Sequence, residues 1–179
     1  MNQSILSIDD TVEDENIENI QLHDLSDKWT LWAHLPHDTD WSLKSYKNIV
    51  LLDSVEATLT LIENFPEVMV KNCMLFLMRN TVNPIWEDAK NKSGGCFSYK
   101  VNNKFVFECW KKLSYLLVGE SLLENYDETK RITGISISPK KSFCVIKIWM
   151  EDCSITDPKK IYEIEGMEHT GAIFKKHII

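Results

Sequence analysis

Hydrophobic and polar positions along this chain alternate with a period of two over several short stretches and recur at helical spacing over two longer ones. Residues 28–35 alternate as a first strand and residues 46–52 as a second. Between them, Pro36-His37-Asp38-Thr39-Asp40 has turn chemistry and delivers Trp41 at the end of a loop. Asp53-Ser54 supplies an N-cap for a helix reaching about Asn64, with Val55, Leu59, Leu61 and Ile62 as its apolar stripe and Pro66 as its stop. Residues 72–78 are apolar on both faces, as a central strand would be. Strand resumes over 95–99, and Asn102-Asn103 forms a turn. Residues 107–118 have helical spacing through Trp110, Leu113 and Leu117, with Gly119 at C′. After a polar connection over 124–131, residues 132–138 and 144–149 pair as a hairpin around Pro139-Lys140-Lys141-Ser142. In its second strand Ile146 and Ile148 face helices, while Val145, Lys147 and Trp149 lie on an open face. A turn or short helix near 157–162 and a strand near 173–178 follow. The pattern predicts an α+β fold, a curved antiparallel sheet with its helices on one face.

Charge divides the chain in two. Of its 27 acids, seven fall in residues 1–24, which hold no Lys or Arg, so residues 25–179 carry 20 acids and 20 bases and are formally neutral. The acidic stretch lacks aromatics and periodicity and is expected to be a disordered tail, followed by a single domain over 25–179. An anionic partner must then meet a local basic patch. Five cysteines without Cys-x-x-Cys spacing are read as buried free thiols in a reducing compartment. No apolar run approaches the roughly 18–20 residues that span a bilayer, and the N-terminus lacks the features of a signal peptide. A cytoplasmic monomer without a membrane segment is the expectation.

Six tryptophans in 179 residues shift attention to aromatic chemistry. Asn83-Pro84-Ile85-Trp86-Glu87-Asp88 sets an indole beside two carboxylates, and Lys90-Asn91-Lys92-Ser93-Gly94-Gly95 leads away. Pro and paired Gly prevent helix or central strand at either end. An indole face supports flat or cationic groups and a carboxylate accepts from N–H donors, a combination suited to a positively charged purine. A surface loop with a packed Trp anchor is the other reading of this stretch.

Trp29-x-x-Trp32, Trp41, Ile85-Trp86-Glu87-Asp88-x-x-Asn91-x-x-Gly94-Gly95, Trp110, Gly119-Glu120-Ser121 and Ile148-Trp149 together resemble the eukaryotic initiation factor 4E family, which binds the 7-methylguanosine cap of messenger RNA. The resemblance runs from about His23 to Ile179. It implies a concave cap-binding side opposite the helices and a non-enzymatic role in translation initiation without a cofactor. It also implies that Trp41 and Trp86 sandwich the methylated guanine, that Glu87 reads the N1–H and 2-amino group, and that Trp149 lies near the N7-methyl.

The phosphate side departs from the family pattern. Lys140 stands at the position of the family's phosphate-binding Arg and Val145 at that of its Lys, with Lys147 on the same strand face as a substitute. Cys96 occupies another place where the family often has a base. A Lys lacks the bidentate fork of Arg, so phosphate contacts should be looser and more salt-sensitive.

The partner surface departs further. By resemblance it comprises His23, Leu25, Val55, Leu59, Trp110, Lys111 and Lys112. Leu59 stands where the family has an exposed Trp, and Lys111-Lys112 replace Leu-Glu, which reverses the local field for a helical Tyr-x-x-x-x-Leu segment. A scaffold or repressor helix with an altered motif is the implied partner. Three classes follow: a cap-binding initiation factor, a cap-binding competitor or repressor that does not recruit the usual scaffold, and an enzyme with Glu87-Asp88 on a metal. The third is weak, because the histidines lack ligand spacing and no P-loop or nucleophile motif is present.

Overall fold

A computed structural model describes residues 22–178. Seven antiparallel strands form one sheet: β1 (Asp24–His34), β2 (Tyr46–Ser54), β3 (Met74–Arg79), β4 (Gly95–Asn102), β5 (Ile132–Pro139), β6 (Phe143–Met150) and β7 (Ile173–Lys176), in the order β2-β1-β3-β5-β6-β4-β7. The helices are α1 (Val55–Glu63), α2 (Glu67–Asn72), α3 (Val106–Val118) and α4 (Tyr126–Thr129). The α+β architecture with a curved antiparallel sheet is the one the pattern predicts. Of the acidic stretch, residues 1–21 lie outside the described residues, and Asp24 already begins β1. Among the described residues no helix is long and apolar enough to cross a membrane.

The period of two sorts the sheet into two faces. Trp29, Leu31, Leu75, Leu77, Ile135, Ile137, Ile146 and Ile148 form the main core with Cys109, Leu113 and Leu117 of α3. Phe76, Met78 and Trp149 form a smaller aromatic cluster on the other face, flanked by Trp32, Tyr46 and Met74. Strand β3 is buried on both sides because it contributes to both clusters. Ser54 caps α1 by accepting from Ala57 N–H at 3.3 Å, as its position before the apolar stretch predicts.

Four local expectations are corrected. Pro66 follows the end of α1 as expected, but it is also the N-cap of α2, so residue 72, expected in strand, closes a helix instead. A proline needs no helical partner at a helix start, and that makes it a start signal as readily as a stop. The polar connection over 124–131 contains α4, capped by the Asn125 side chain. The stripe of α1 also divides: Ile62 is buried and Leu61 packs against the core, but Val55 and Leu59 face outward.

The fourth correction concerns the end of α3. Gly119 is the C-cap at φ −79°, and Glu120 takes the left-handed C′ position at φ 51°. Ser121 N–H donates to Leu116 O at 2.9 Å and Glu120 N–H to Leu117 O at 3.1 Å, a Schellman closure. A left-handed Glu costs roughly 1–2 kcal/mol. Its carboxylate offsets that by gripping Arg79, with Oε1 2.6 Å from Nη1 and Oε2 3.2 Å from Nη2. Arg79 also donates to Asp27 at 2.8 Å and lies 4.5 Å over the Trp29 ring. This buried cluster ties β1, β3 and the end of α3 together.

All five cysteines are free, four of them buried and Cys153 partly exposed. Burial, helped by the nearby Glu168, Glu165 and Glu108, pushes the Cys109 thiol up to about 11.

Candidate functional site

Two loops hold the exposed tryptophans, and each is braced by its own carboxylate. In the first, Asp38 Oδ1 accepts from Asp40 N–H at 3.0 Å, and Asp40 accepts from Ser42 N–H at 2.8 Å and Ser42 Oγ–H at 2.9 Å. Those Ser42 donors, with the field of His34, hold the Asp40 carboxyl below its ordinary value. In the second loop, Asp88 accepts from Asn83 N–H at 3.0 Å, Asn83 Nδ2 at 2.8 Å and Lys90 N–H at 2.9 Å. Fully buried Asn91 donates to Asn83 O at 3.0 Å and Ile85 O at 2.9 Å, and accepts from Thr133 Oγ1 at 2.8 Å. Both Asp88 oxygens are therefore committed to the loop. Gly94 closes it, because a Cβ there would stand 1.8 Å from Met150 O.

These loops flank a cleft of about 460 Å³ on the sheet face away from α3, lined by Trp41, Trp86, Glu87, Lys140, Lys147 and Trp149 among others. All six residues expected to form the site are thus brought together. Trp41 is 57% and Trp86 45% exposed, unusual for indoles unless a ligand is to cover them. Trp149 corrects the expectation of an open-face ring. It is 3% exposed and forms the floor, its Nε1–H donating to Ser136 Oγ at 2.9 Å. Of the other expected phosphate positions, Val145 lines the cleft, while Cys96 is buried opposite Trp149 in the β4–β6 ladder.

The two exposed indoles are the ends of one arc of rings. Trp41 stacks on His34 with centroids 4.4 Å apart and planes 3° apart. His34 meets Tyr46 edge-on at 5.0 Å, Tyr46 meets Phe76 at 5.3 Å, and Phe76 meets Trp149 at 6.4 Å. Trp149 then meets His177 at 5.2 Å, and His177 stacks on Trp86 at 5.7 Å with planes 8° apart. Edge-to-face contacts of this kind fix ring orientation. None of His34, Tyr46, Phe76 or His177 was marked by the sequence pattern; their partners lie on other strands and loops.

Charge is distributed along the cleft rather than paired within it. Among the described residues, no donor reaches the Glu87 carboxylate and neither Lys140 nor Lys147 pairs with an acid. Burial raises the Tyr46 phenol, and the Glu87 charge adds to it. Lys147 Nζ rests 5.5 Å from the Trp86 ring centroid, so a cation already sits over that indole. The arrangement accepts a flat, electron-poor ring, offers an acceptor for its N–H edge, and provides ammonium groups for an attached anion.

The residues expected on the partner surface divide. Val55 and Leu59 are exposed on α1, while Trp110 is 5% exposed and belongs to the core. Lys111 is held by Glu63 at 2.5 Å, bridging α3 to α1, and Lys112 lies 5.4 Å over the Tyr162 ring. His23 donates to Glu56 through N–H at 3.0 Å and pairs with it through Nδ1 at 2.6 Å, which pins Leu25 and the start of β1 beside α1.

A curved seven-stranded sheet with helices on one side and an aromatic cleft on the other defines the architectural class. Comparison with known proteins gives the family: residues 24–174 match the family model of eukaryotic initiation factor 4E, and the chain belongs to that family. It is 27% identical over 161 residues to eukaryotic translation initiation factor 4E of Candida glabrata, covering 86% of this chain and 71% of that protein. To the factor of Eremothecium gossypii it is 31% identical over 134 residues, covering 71% of this chain and 62% of that one. Among solved structures, the complex of C. elegans eIF4E-3 with the 4E-binding protein Mextli and a cap analog superposes with a TM-score of 0.66 at 23% identity, covering 75% of this chain and 77% of that one. Schistosome eIF4E complexed with m7GpppG and 4E-BP gives 0.67 at 19% identity, covering 74% of each. The structural likenesses establish the fold.

Proposed function

We propose that this chain binds the 7-methylguanosine cap of messenger RNA in the cleft and acts in cytoplasmic translation initiation as a binding protein, without catalysis. Trp41 and Trp86 take the methylated base between them, Glu87 accepts from its N1–H and 2-amino group, and Trp149 lies beside the N7-methyl. Lys140 and Lys147 meet the phosphates. The observation that carries this reading is the placement of two half-exposed indoles, from separate loops, on one cleft with an unpaired carboxylate adjacent. Family membership and relatives solved with cap analogs support it.

The physics favours a methylated base. N7-methylation gives guanine a delocalised positive charge, so each indole adds a cation–π contribution to a stacking energy of roughly 1–3 kcal/mol per base. Glu87 then meets two donors on a cationic ring, a charge-assisted contact that unmethylated guanine matches less well. Asp88 gives little support to a metal-dependent enzyme, since its oxygens already brace the loop.

A second reading, a cap-binding competitor or repressor that does not recruit the usual scaffold, is favoured by the α1–α3 surface. Leu59 presents a small apolar group, and Lys111 is engaged by Glu63, which leaves no acid at this position for a partner's basic residue. Retention on a 7-methyl-GTP resin, with elution by methylated but not unmethylated GTP, tests cap binding; indifference to both would end it. Titration with a family-type Tyr-x-x-x-x-Leu peptide separates the two roles, micromolar or tighter affinity favouring the initiation factor.

A further inference from the structure

Both exposed tryptophans of the cleft are backed by histidines that lie far apart in the chain. His34 is 1% and His177 5% exposed. Each stacks nearly parallel to its indole and covers one face of it. Each also fixes its own plane with a hydrogen bond to a backbone carbonyl of the loop that carries the tryptophan. His34 Nε2–H donates to Asp40 O at 2.9 Å and His177 Nδ1–H to Asn91 O at 2.8 Å. A ligand between the indoles would complete the stack His34–Trp41–ligand–Trp86–His177. We infer that His34 and His177 are positioning residues that set the cleft's preference for a cationic ring by holding the two indole planes from behind; the inference rests on the cap-binding reading above.

The surroundings favour the neutral form at His177. Its Nε2 is buried and has no partner among the described residues. Protonating it would place a charge and a donor where nothing accepts. The charged group facing it is Lys147 from β6, beside the rings of Trp86 and Trp149. Burial first, and then the Lys147 charge, hold its pKa below the ordinary value. Around His34 the titratable neighbours are Asp40 from its own loop and Tyr46 from β2, edge-on.

A neutral imidazole leaves the ligand face of the indole electron-rich. An imidazolium would instead put a positive charge roughly 8–9 Å from the ligand ring, close enough to weaken a cationic ligand roughly three- to tenfold and leave a neutral isostere little changed. Because binding of the cationic ring favours the unprotonated histidine, the preference is present at neutral pH. It is lost as pH falls through the lowered His177 value.

The test compares 7-methyl-GTP with 7-methyl-7-deaza-GTP, which has the same shape without the ring charge, by calorimetry from pH 7 down to the acid limit of the folded protein. Phosphate titration is common to both ligands and cancels in the ratio of affinities. In the unaltered protein that ratio should fall roughly three- to tenfold across the range. In the double variant H34F/H177F, which keeps two stacked rings that cannot take a proton, it should not fall. The H34A/H177A variant should weaken both ligands at every pH, and restoration by the Phe pair identifies positioning. A flat ratio in the unaltered protein, which requires no variant to fold, overturns the inference alone, as does a fall that persists in H34F/H177F. Absence of any preference for the cationic ligand at pH 7 overturns the cap-binding reading and this inference together.

Discussion

Replacing Lys147 with Met separates two roles that one ammonium cannot fill at once. In the free protein Nζ lies 5.5 Å from the centroid of Trp86, over a ring the methylated base is proposed to use. At a partly exposed site that contact is worth about 0.5–1 kcal/mol, which a ligand must displace. If Lys147 then turns to the phosphates, it recovers a charge contact worth about 1–2 kcal/mol in a mostly wet cleft. Lys147→Met should therefore move two ligands in opposite directions. 7-Methylguanosine, which has no phosphate, should bind roughly two- to fivefold tighter. 7-Methyl-GTP gains the same relief but forfeits the larger phosphate contact, so it should bind up to roughly tenfold weaker, and the loss should shrink as salt is raised from 50 to 500 mM. Calorimetry with both ligands at two salt concentrations reads all four values. Equal weakening of nucleoside and triphosphate would refute the reasoning, because the ammonium would then not compete for the indole.

Other expected outcomes test separate parts of the account. Trp41→Ala or Trp86→Ala should each weaken 7-methyl-GTP binding by about 1–3 kcal/mol in fluorescence titrations, with little change in melting temperature because both rings are half exposed. Glu87→Ala should weaken it by a similar amount by leaving buried guanine donors unpaired, about 1–3 kcal/mol. Glu120→Gln should lower folding stability in urea titrations by about 1–3 kcal/mol, since it strips one of two carboxylates from Arg79, which keeps Asp27. The side chain and N–H of His23 hold Glu56 down to about 2. The contribution of that depressed acid is present above its unfolded value of 4.5 and is lost as pH falls toward about 2. The protection factor of the Val55 amide, which donates to His23 O, should fall over that window.

The fold was legible wherever one face of an element meets the core and the other does not. The alternation in β6 separates Ile146 and Ile148 from Lys147 and Trp149, and the structure keeps that separation. Single residues read with one meaning misled. Pro66 can open a helix as well as close one, and Glu120 rather than Gly119 takes the left-handed position because Arg79 compensates it. Val55 and Leu59 satisfy helical periodicity without being core, since a surface that faces a partner carries the same pattern.

The site was legible in its exposed members and not in their supports. Trp86 and Glu87 stand in a motif, and Trp41 ends a turn-rich loop. His34 and His177 have no local signal, because what defines them is contact with indoles across the fold. A histidine with no metal-ligand spacing reads as ordinary until its ring plane is seen.

The central claim is that two indoles close on a cationic purine whose edge Glu87 reads. Titrating the protein with 7-methyl-GTP and with GTP while following intrinsic tryptophan fluorescence tests it most directly. Saturable quenching by the methylated nucleotide, at concentrations at least roughly tenfold below those GTP requires, is the predicted result. No quenching, or equal quenching by both nucleotides, would contradict it.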